Sequence, residues 1–258
     1  MSEYPIIPVL DHGFIQLIDI MGCDERIVEA ARQSTGKGFL GWGPLHGDDC
    51  QLDKDGFGSL GEWVPGQCTC KPKEGDEKLL RYLWKNRHTS PFEQCDLSVA
   101  VQAPIMVFRE WHRHRTQSYN EFSARYAQMP NNHYLPTLER IKLTSSTNKQ
   151  AQGVAPLADD QAVQAWLKRA EQLQQAVYSH YEQGLDLGLP KEVARLNTPV
   201  SRYSRMVAKG NLLNWLKFLD LRMDVNAQWE IRQYANVIGS IVEKHFPRTW
   251  VLFNETRR

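Results

Sequence analysis

No feature constrains this chain more than Asp160–Leu187, which reads as one long amphipathic helix and commits a large part of the molecule to helical packing. Strand patterns stand beside it. Phe14–Met21 (FIQLIDIM) is apolar-rich and β-compatible, and Asp96–Gln102 (DLSVAVQ) alternates apolar and polar residues as a half-buried strand should. Val200–Val207 is a third candidate strand. Helical patterning covers Asp24 to about Ser34, with Asp24 as its cap, then Glu77–Arg87, Ile105–Arg115, Glu192–Arg195, Asn211–Leu221 and Asn226–Lys244. Pro104 stands at a first helical position. The mixture of strands and long helices predicts an α/β or α+β fold.

Two stretches break the periodicity. Gly36–Gly75 is crowded with Gly, Pro and Asp and reads as a long surface loop or insertion, and Leu143–Asp159 reads as a polar linker. The remainder of the 258 residues suits one domain with a substantial core. A formal net charge of +1 argues against a polyanion partner such as nucleic acid, so any basic site must be local. No apolar run is long enough to span a bilayer, and MSEYPIIPVLDHGF lacks the pattern of a secretory signal; a cytoplasmic location is the expectation. Five irregularly spaced cysteines suit free thiols in a reducing compartment.

The chemistry concentrates in Trp111–Tyr126 (WHRHRTQSYNEFSARY), where His112, Arg113, His114 and Arg115 are consecutive and Arg125 follows. Guanidinium groups crowded this way repel one another unless an anion lies between them, and phosphate suits their paired donors. Trp111, Tyr119, Phe122 and Tyr126 interleave, and aromatic faces with cations suit a flat heterocycle carrying a phosphate. For a bare RHR tripeptide, a solvated basic helix end is the better reading; the longer string favours a ligand site.

That string resembles the signature of flavin-dependent thymidylate synthases, R-H-R then seven residues then S, here Arg113-His114-Arg115 and Ser123. His88-Thr89-Ser90-Pro91-Phe92-Glu93, Glu192-Val193-Ala194-Arg195, and Leu221-Arg222 followed by Ala227-Gln228-Trp229-Glu230-Ile231 resemble the family's other segments in the same order. The resemblance implies a single domain over 1–258 with a surface insertion at 36–75. Its sheet would be central and mostly antiparallel, flanked by long helices. The implied reaction is reductive methylation of dUMP to dTMP, with methylenetetrahydrofolate as carbon donor and FAD, recharged by NADPH, as hydride carrier. It also implies a homotetramer with sites shared between subunits.

Carried over residue by residue, Arg222, His88 and Ser123 would be catalytic, with Ser123 holding the nucleotide phosphate rather than acting as a strong nucleophile. Ser90, Arg113, His114, Arg115, Glu121, Asn211 and Lys217 would bind FAD, with Ser90 reaching a neighbouring subunit's flavin. Glu110, Trp111, His112, Arg113, Glu121, Phe122, Ser123, Ala124, Arg125, Arg195 and Arg222 would surround the nucleotide. Three departures stand out: Glu110 where many members have Gln, Leu212-Leu213 where a small residue and Arg are common, and Lys217 where Asn is common. A catalytically inactive relative that only binds nucleotide or flavin is the alternative.

No metal is expected. His112, His114 and His133 lack Cys partners, and Cys50 with Cys68-Thr69-Cys70 reads as free surface thiols. Gln51–Glu62 only faintly echoes a calcium loop, with Gln at its first ligand position. Cys95 reads as a buried thiol rather than a nucleophile, and Trp215, Trp229 and Tyr234 as packing residues.

Overall fold

A computed structural model describes residues 3–47, 50, 63, 65–66, 68–143, 151, 153 and 156–257. Along the chain run β1 (Ile6–Val9), β2 (Gly13–Met21), α1 (Asp24–Arg32), α2 (Asp76–Lys85), β3 (Asp96–Pro104), α3 (Ile105–Trp111), β4 (Ser118–Glu121), α4 (Leu138–Lys142), α5 (Asp160–Asp186), α6 (Lys191–Ala194), β5 (Tyr203–Asn211), α7 (Leu212–Arg222), α8 (Trp229–His245) and α9 (Pro247–Thr256). The five strands form one sheet in the order β1-β2-β3-β5-β4. Both outer pairings are antiparallel, with Ile7 opposite Ile15 at one edge and Asn120 opposite Val207 at the other. The mixed α/β architecture expected from the sequence is the one observed.

The chain divides into two compact units. The first comprises Met1–Ile18, Ser98–Lys209 and Leu221–Ile238, and the second Asp19–Leu97, Gly210–Asp220 and Gly239–Arg258. In the first, the buried face of the strands supplies Ile15, Val99, Val101, Met206 and Ala208, and the helices supply Phe108, Trp111, Ile231 and Tyr234. Gly13 has no alternative here, because a Cβ would collide with the Tyr234 hydroxyl. A satellite cluster of Ala124, Met129, Tyr181 and Ala194 lies beside α5 and α6. Helix α5 is as long as its sequence predicts, yet it buries only Val163, Tyr181 and Gly184, and Trp166 and Leu173 are exposed.

The second unit packs Ile27, Val28, Leu80, Phe92, Trp215, Phe218, Phe246 and Phe253 into its own core. Asp24 does not cap α1 as expected. Its buried carboxylate instead accepts from the Arg248 and Thr249 backbone N–H groups (2.7 and 3.1 Å) and the Thr249 hydroxyl (2.6 Å), so it caps α9 from a distant part of the sequence. Burial nonetheless pushes the Asp24 pKa up.

Other boundaries differ for local reasons. The third strand starts three residues later than expected and runs to Asn211, whose side chain accepts from the Asn214 N–H (3.0 Å) at the start of α7. Pro104 ends β3 and caps α3 rather than opening it, and α3 stops at Trp111 instead of Arg115. Within Gly36–Gly75 the thiols are free as expected but do not lie at the surface: Cys50 and Cys70 are buried and Cys68 is half-buried. Gln51–Glu62 and most of the Leu143–Asp159 linker lie outside the described residues. No helix among the described residues is long and apolar enough to cross a membrane.

Candidate active site

The basic signature sits on a tight turn. Beyond α3, the His112 N–H donates to Phe108 O (2.9 Å), the His114 N–H to Trp111 O (3.0 Å) and the Gln117 N–H to His114 O (3.3 Å). Side chains then lock this backbone. The Tyr119 hydroxyl donates to His114 O (2.7 Å) and lies 3.2 Å from Trp111 O, while the buried Trp111 indole donates to Gln117 Oε1 (3.0 Å). Burial lifts the Tyr119 pKa to about 12, so the hydroxyl stays a donor. The His112 ring packs 4.8 Å from Tyr119 and 6.1 Å from Phe108. With the turn fixed, Arg113 and Arg115 are exposed and make no side-chain hydrogen bond or ion pair among the described residues. They are ready for an anion.

A second cation is handled differently. Arg222, at the end of α7, is buried, and its Nη1 lies 2.6 Å from Glu110 Oε2. Its Nη2 donates to Glu110 O (2.8 Å) and its Nε to His114 Nε2 (3.0 Å). Three of the five guanidinium donors are thereby engaged. Because His114 Nε2 accepts this bond, that nitrogen carries no proton. Burial first, and the Arg222 charge second, hold the His114 pKa at about 4. The central histidine of the RHR string is therefore neutral and adds no charge to its two arginine neighbours. Neutrality at His114 also removes a repulsion that would otherwise separate it from Arg222.

The rest of the signature splits into exposed and packed positions. Glu121 is exposed and accepts from the Ser204 hydroxyl (2.8 Å). Ser123 Oγ accepts from the Arg125 N–H (3.3 Å), and its carbonyl receives the Tyr126 and Ala127 N–H groups (both 3.1 Å). Arg125 pairs with Glu192 across 2.7 Å at the surface, so two of the sequence segments meet here. Ala124 is buried in the satellite cluster with Phe122 against it. Trp111 and Ala124 thus hold the frame, and the surface available to a ligand comes from Arg113, Arg115, Glu121, Arg125 and the half-buried Ser123 and Arg195. The Glu230 of the A-Q-x-E-I segment is structural: buried, it pairs with Arg140 at 2.8 Å and accepts from Tyr134 at 3.1 Å.

His88 and Ser90 belong to the second unit. They line a cleft of about 410 Å³ with Arg26, Ser34, Pro91 and Gln94, a size typical of ligand pockets. His88 is exposed, its ring edge-on to Tyr82 at 5.5 Å. Asn211 and Lys217 lie in the same unit. Asn211 is occupied as the α7 cap, whereas Lys217 is exposed and without a side-chain partner among the described residues. The departures Leu212 and Leu213 are buried, so an apolar pair there serves packing. Cys95 is fully buried, and burial raises its thiol pKa to about 12, which leaves it inert.

Sequence reasoning missed Tyr119 and Gln117 as the residues that fix the turn, and Arg26 and Gln94 in the cleft. The interleaved tyrosine was visible, but its bond to two carbonyls was not.

Comparison with known proteins bears on this arrangement. A family model described as thymidylate synthase complementing protein matches residues 16–248. A flavin-dependent thymidylate synthase of Wolbachia pipientis is 38% identical over 96% of this chain and 75% of its own length. One of Thermus thermophilus is 39% identical over 96% and 78%. Among solved structures, the UMP/dUMP methylase PolB of Streptomyces cacaoi bound with 5-Br UMP superposes with a TM-score of 0.74 at 27% identity, over 98% of both chains. With its signature turn, its Arg222 clamp and relatives matched along nearly its whole length, this chain belongs to the flavin-dependent thymidylate synthase family.

Proposed function

We propose that this chain methylates dUMP to dTMP, taking the one-carbon unit from methylenetetrahydrofolate and the reducing equivalents from NADPH through bound FAD. The observation that carries this reading is the convergence of Arg222, Glu110 and His114, drawn from two separated motifs into one hydrogen-bonded group around the buried Arg222 guanidinium. When bound, the flavin supplies the redox chemistry that amino-acid side chains lack. The residues fit such a group: exposed, unpartnered Arg113 and Arg115 suit its phosphates, and the His88–Ser90 cleft is polar enough for one end of a dinucleotide.

The protein's own part is binding and polarisation. Arg113, Arg125, Arg195 and Ser123 would hold the nucleotide phosphate. Arg222, permanently charged and held rigid, would stabilise negative charge as it develops on the uracil ring. Glu110 and neutral His114 orient that guanidinium without moving a proton. His88 and Ser90 would meet flavin and folate, with Glu121 and Lys217 at the flavin's margin. Exposed Trp166 and Leu173 on α5 suit burial between subunits, in keeping with a homotetramer that shares its sites. Five unpaired cysteines suit the cytoplasm.

One observation favours a second reading. Glu110 offsets the charge of Arg222, so a relative that binds flavin and nucleotide without turnover is the competing case. The experiment that decides is turnover of dUMP by purified protein with FAD, NADPH and methylenetetrahydrofolate, omitting each in turn. Product that requires all three supports the synthase. Bound flavin and folded protein without product leave the binding-only relative.

A further inference from the structure

The family's reaction does not use four side chains of the Gly36–Gly75 stretch. The His46 Nδ1 lies 3.3 Å from Cys50 Sγ, 3.3 Å from Cys68 Sγ and 3.7 Å from Cys70 Sγ. All four atoms fall within 4.8 Å of one another, and Cys50, Cys70 and His46 are buried. For a tetrahedral zinc ion with sulfur at about 2.3 Å and nitrogen at about 2.0 Å, a sulfur and a nitrogen ligand stand about 3.5 Å apart. The three nitrogen–sulfur separations bracket that value, whereas Cys68 Sγ and Cys70 Sγ stand 2.9 Å apart and would spread to about 3.8 Å around the ion.

The surroundings match. Lys71 and Lys73 follow directly and offset the single negative charge of a three-thiolate, one-imidazole zinc centre. The stretch is closed at its base by the Leu45–Lys73 bridge, with N–H to O distances of 2.8 and 3.0 Å. Its neck is pinned by the Leu40 N–H donating to Asp76 (2.8 Å) and the Gly43 N–H to Glu77 (3.0 Å). Between base and tip, the described residues offer few apolar side chains beyond Leu45 and Trp63. A cross-link supplies order where apolar contacts are few.

We propose that His46, Cys50, Cys68 and Cys70 bind a structural zinc ion that braces this insertion. Binding releases the three thiol protons, and no electron moves. Four protein ligands leave no open position, so the site is a brace and not a reaction centre. A Cys68–Cys70 disulfide would account for two of the sulfurs but not for their convergence with Cys50 on one imidazole nitrogen. A two-iron cluster would spread its ligands over two metals, wider than this group.

The test is elemental analysis of the full-length protein purified under reducing conditions without chelator. The expected content is about one zinc per chain, falling below about a tenth in Cys68→Ser/Cys70→Ser and unchanged in Cys23→Ser, whose thiol is exposed. Should the double variant fail to fold, as judged by circular dichroism, the wild-type protein decides alone. Titration with a mercurial should release the zinc stoichiometrically, and cobalt reloading should give the absorption of a thiolate-bound tetrahedral ion. Zinc-free folded protein that takes up neither zinc nor cobalt overturns the proposal. So does a mass two hydrogens low from a Cys68–Cys70 disulfide, and so does iron in place of zinc.

Discussion

The Glu110–Arg125 signature and the described residues of the Gly36–Gly75 insertion are ordered by opposite routes. In the signature, the backbone is set by its own hydrogen bonds and by Tyr119 and Gln117, and its charge by Arg222 and Glu110. Its ordering contacts are hydrogen bonds, an ion pair and ring packing that the chain makes unaided, and Trp111 anchors it in the core. Among the described residues of the insertion, a two-residue bridge and a pinned neck hold the base, the Trp63 N–H donates to Pro44 O (2.7 Å), and His46, Cys50, Cys68 and Cys70 converge on a point. Preorganised charge suits a site that must meet a transition state without rearranging. A brace that an ion completes suits a segment whose described residues place few apolar side chains beyond its base.

The largest effect should come from breaking the signature at its hub. Arg222→Ala should lower kcat by about 100- to 1000-fold, the scale seen when one preorganised donor to a developing charge is removed. It should also lower stability by about 1–3 kcal/mol, because His114 and the Glu110 carbonyl lose a buried partner. Arg222→Lys restores charge without the fork and should recover stability more than rate. Turnover and thermal unfolding of the three proteins check this. A rate loss no larger than the stability loss explains would leave Arg222 a purely structural residue.

Metal removal probes the other region. Stripping zinc should raise hydrogen exchange at the Leu45 and Lys73 amides by about tenfold or more, since local opening is set by local contacts. The amides that pair β4 with β5 should be unaffected. Loosening of both regions together would break the contrast and make the insertion part of the same cooperative unit.

The pH dependence sharpens the signature half. His114 titrates at about 4 in the fold, below its ordinary 6.5, so the fold favours the neutral ring. Its contribution is complete above about pH 6.5 and is lost as the pH falls toward about 4. Allowing for partial solvent screening, the effect is of order 1–3 kcal/mol. His114→Asn, which can still accept from Arg222, should flatten this limb of a stability-against-pH profile measured by urea denaturation. An unchanged slope would mean that His114 is not the group responsible.

How much of this was legible depends on whether the determinant was local. Period-two and helical patterns located β2, β3, α7 and α8 because each buries a face of its own, and α5 because its helical spacing runs unbroken although it buries little. Strand β4 was hidden: Ser118–Glu121 is polar throughout and pairs along β5 at the sheet edge, where side chains need no apolar partner. Short β1 and the terminal α9 gave too little periodicity to register. Asp24 was read as a local cap because capping chemistry is visible in sequence, whereas the identity of the capped helix is not. The signature residues were found because they are contiguous. The neutral state of His114 was not, since it is set by burial in the fold and by Arg222, 108 positions away. The metal cluster failed similarly: His46 stands 22 positions from Cys68, and C-x-C alone carries little weight.

The smallest effect tests the residue that departs from the family pattern. Glu110→Gln keeps an oxygen that can accept from Arg222 Nη1 but removes the opposing charge. The glutamate side chain is 43% exposed, so solvent already weakens its field, and the gain in positive potential should be modest. The expected outcome is a KM for dUMP lowered by about two- to fivefold with kcat changed less, because a phosphate-bearing ligand gains attraction whether or not it has reacted. The same change should move the His114 pKa further down, since the Glu110 carboxylate is the one group raising it. The two readouts separate the possibilities. A KM that rises while the acid limb shifts down would mean that the carboxylate touches the nucleotide directly, and that Glu110 recognises substrate rather than only holding Arg222. If neither moves, Arg222 is held by the Glu110 backbone carbonyl and His114, and the side-chain ion pair is incidental.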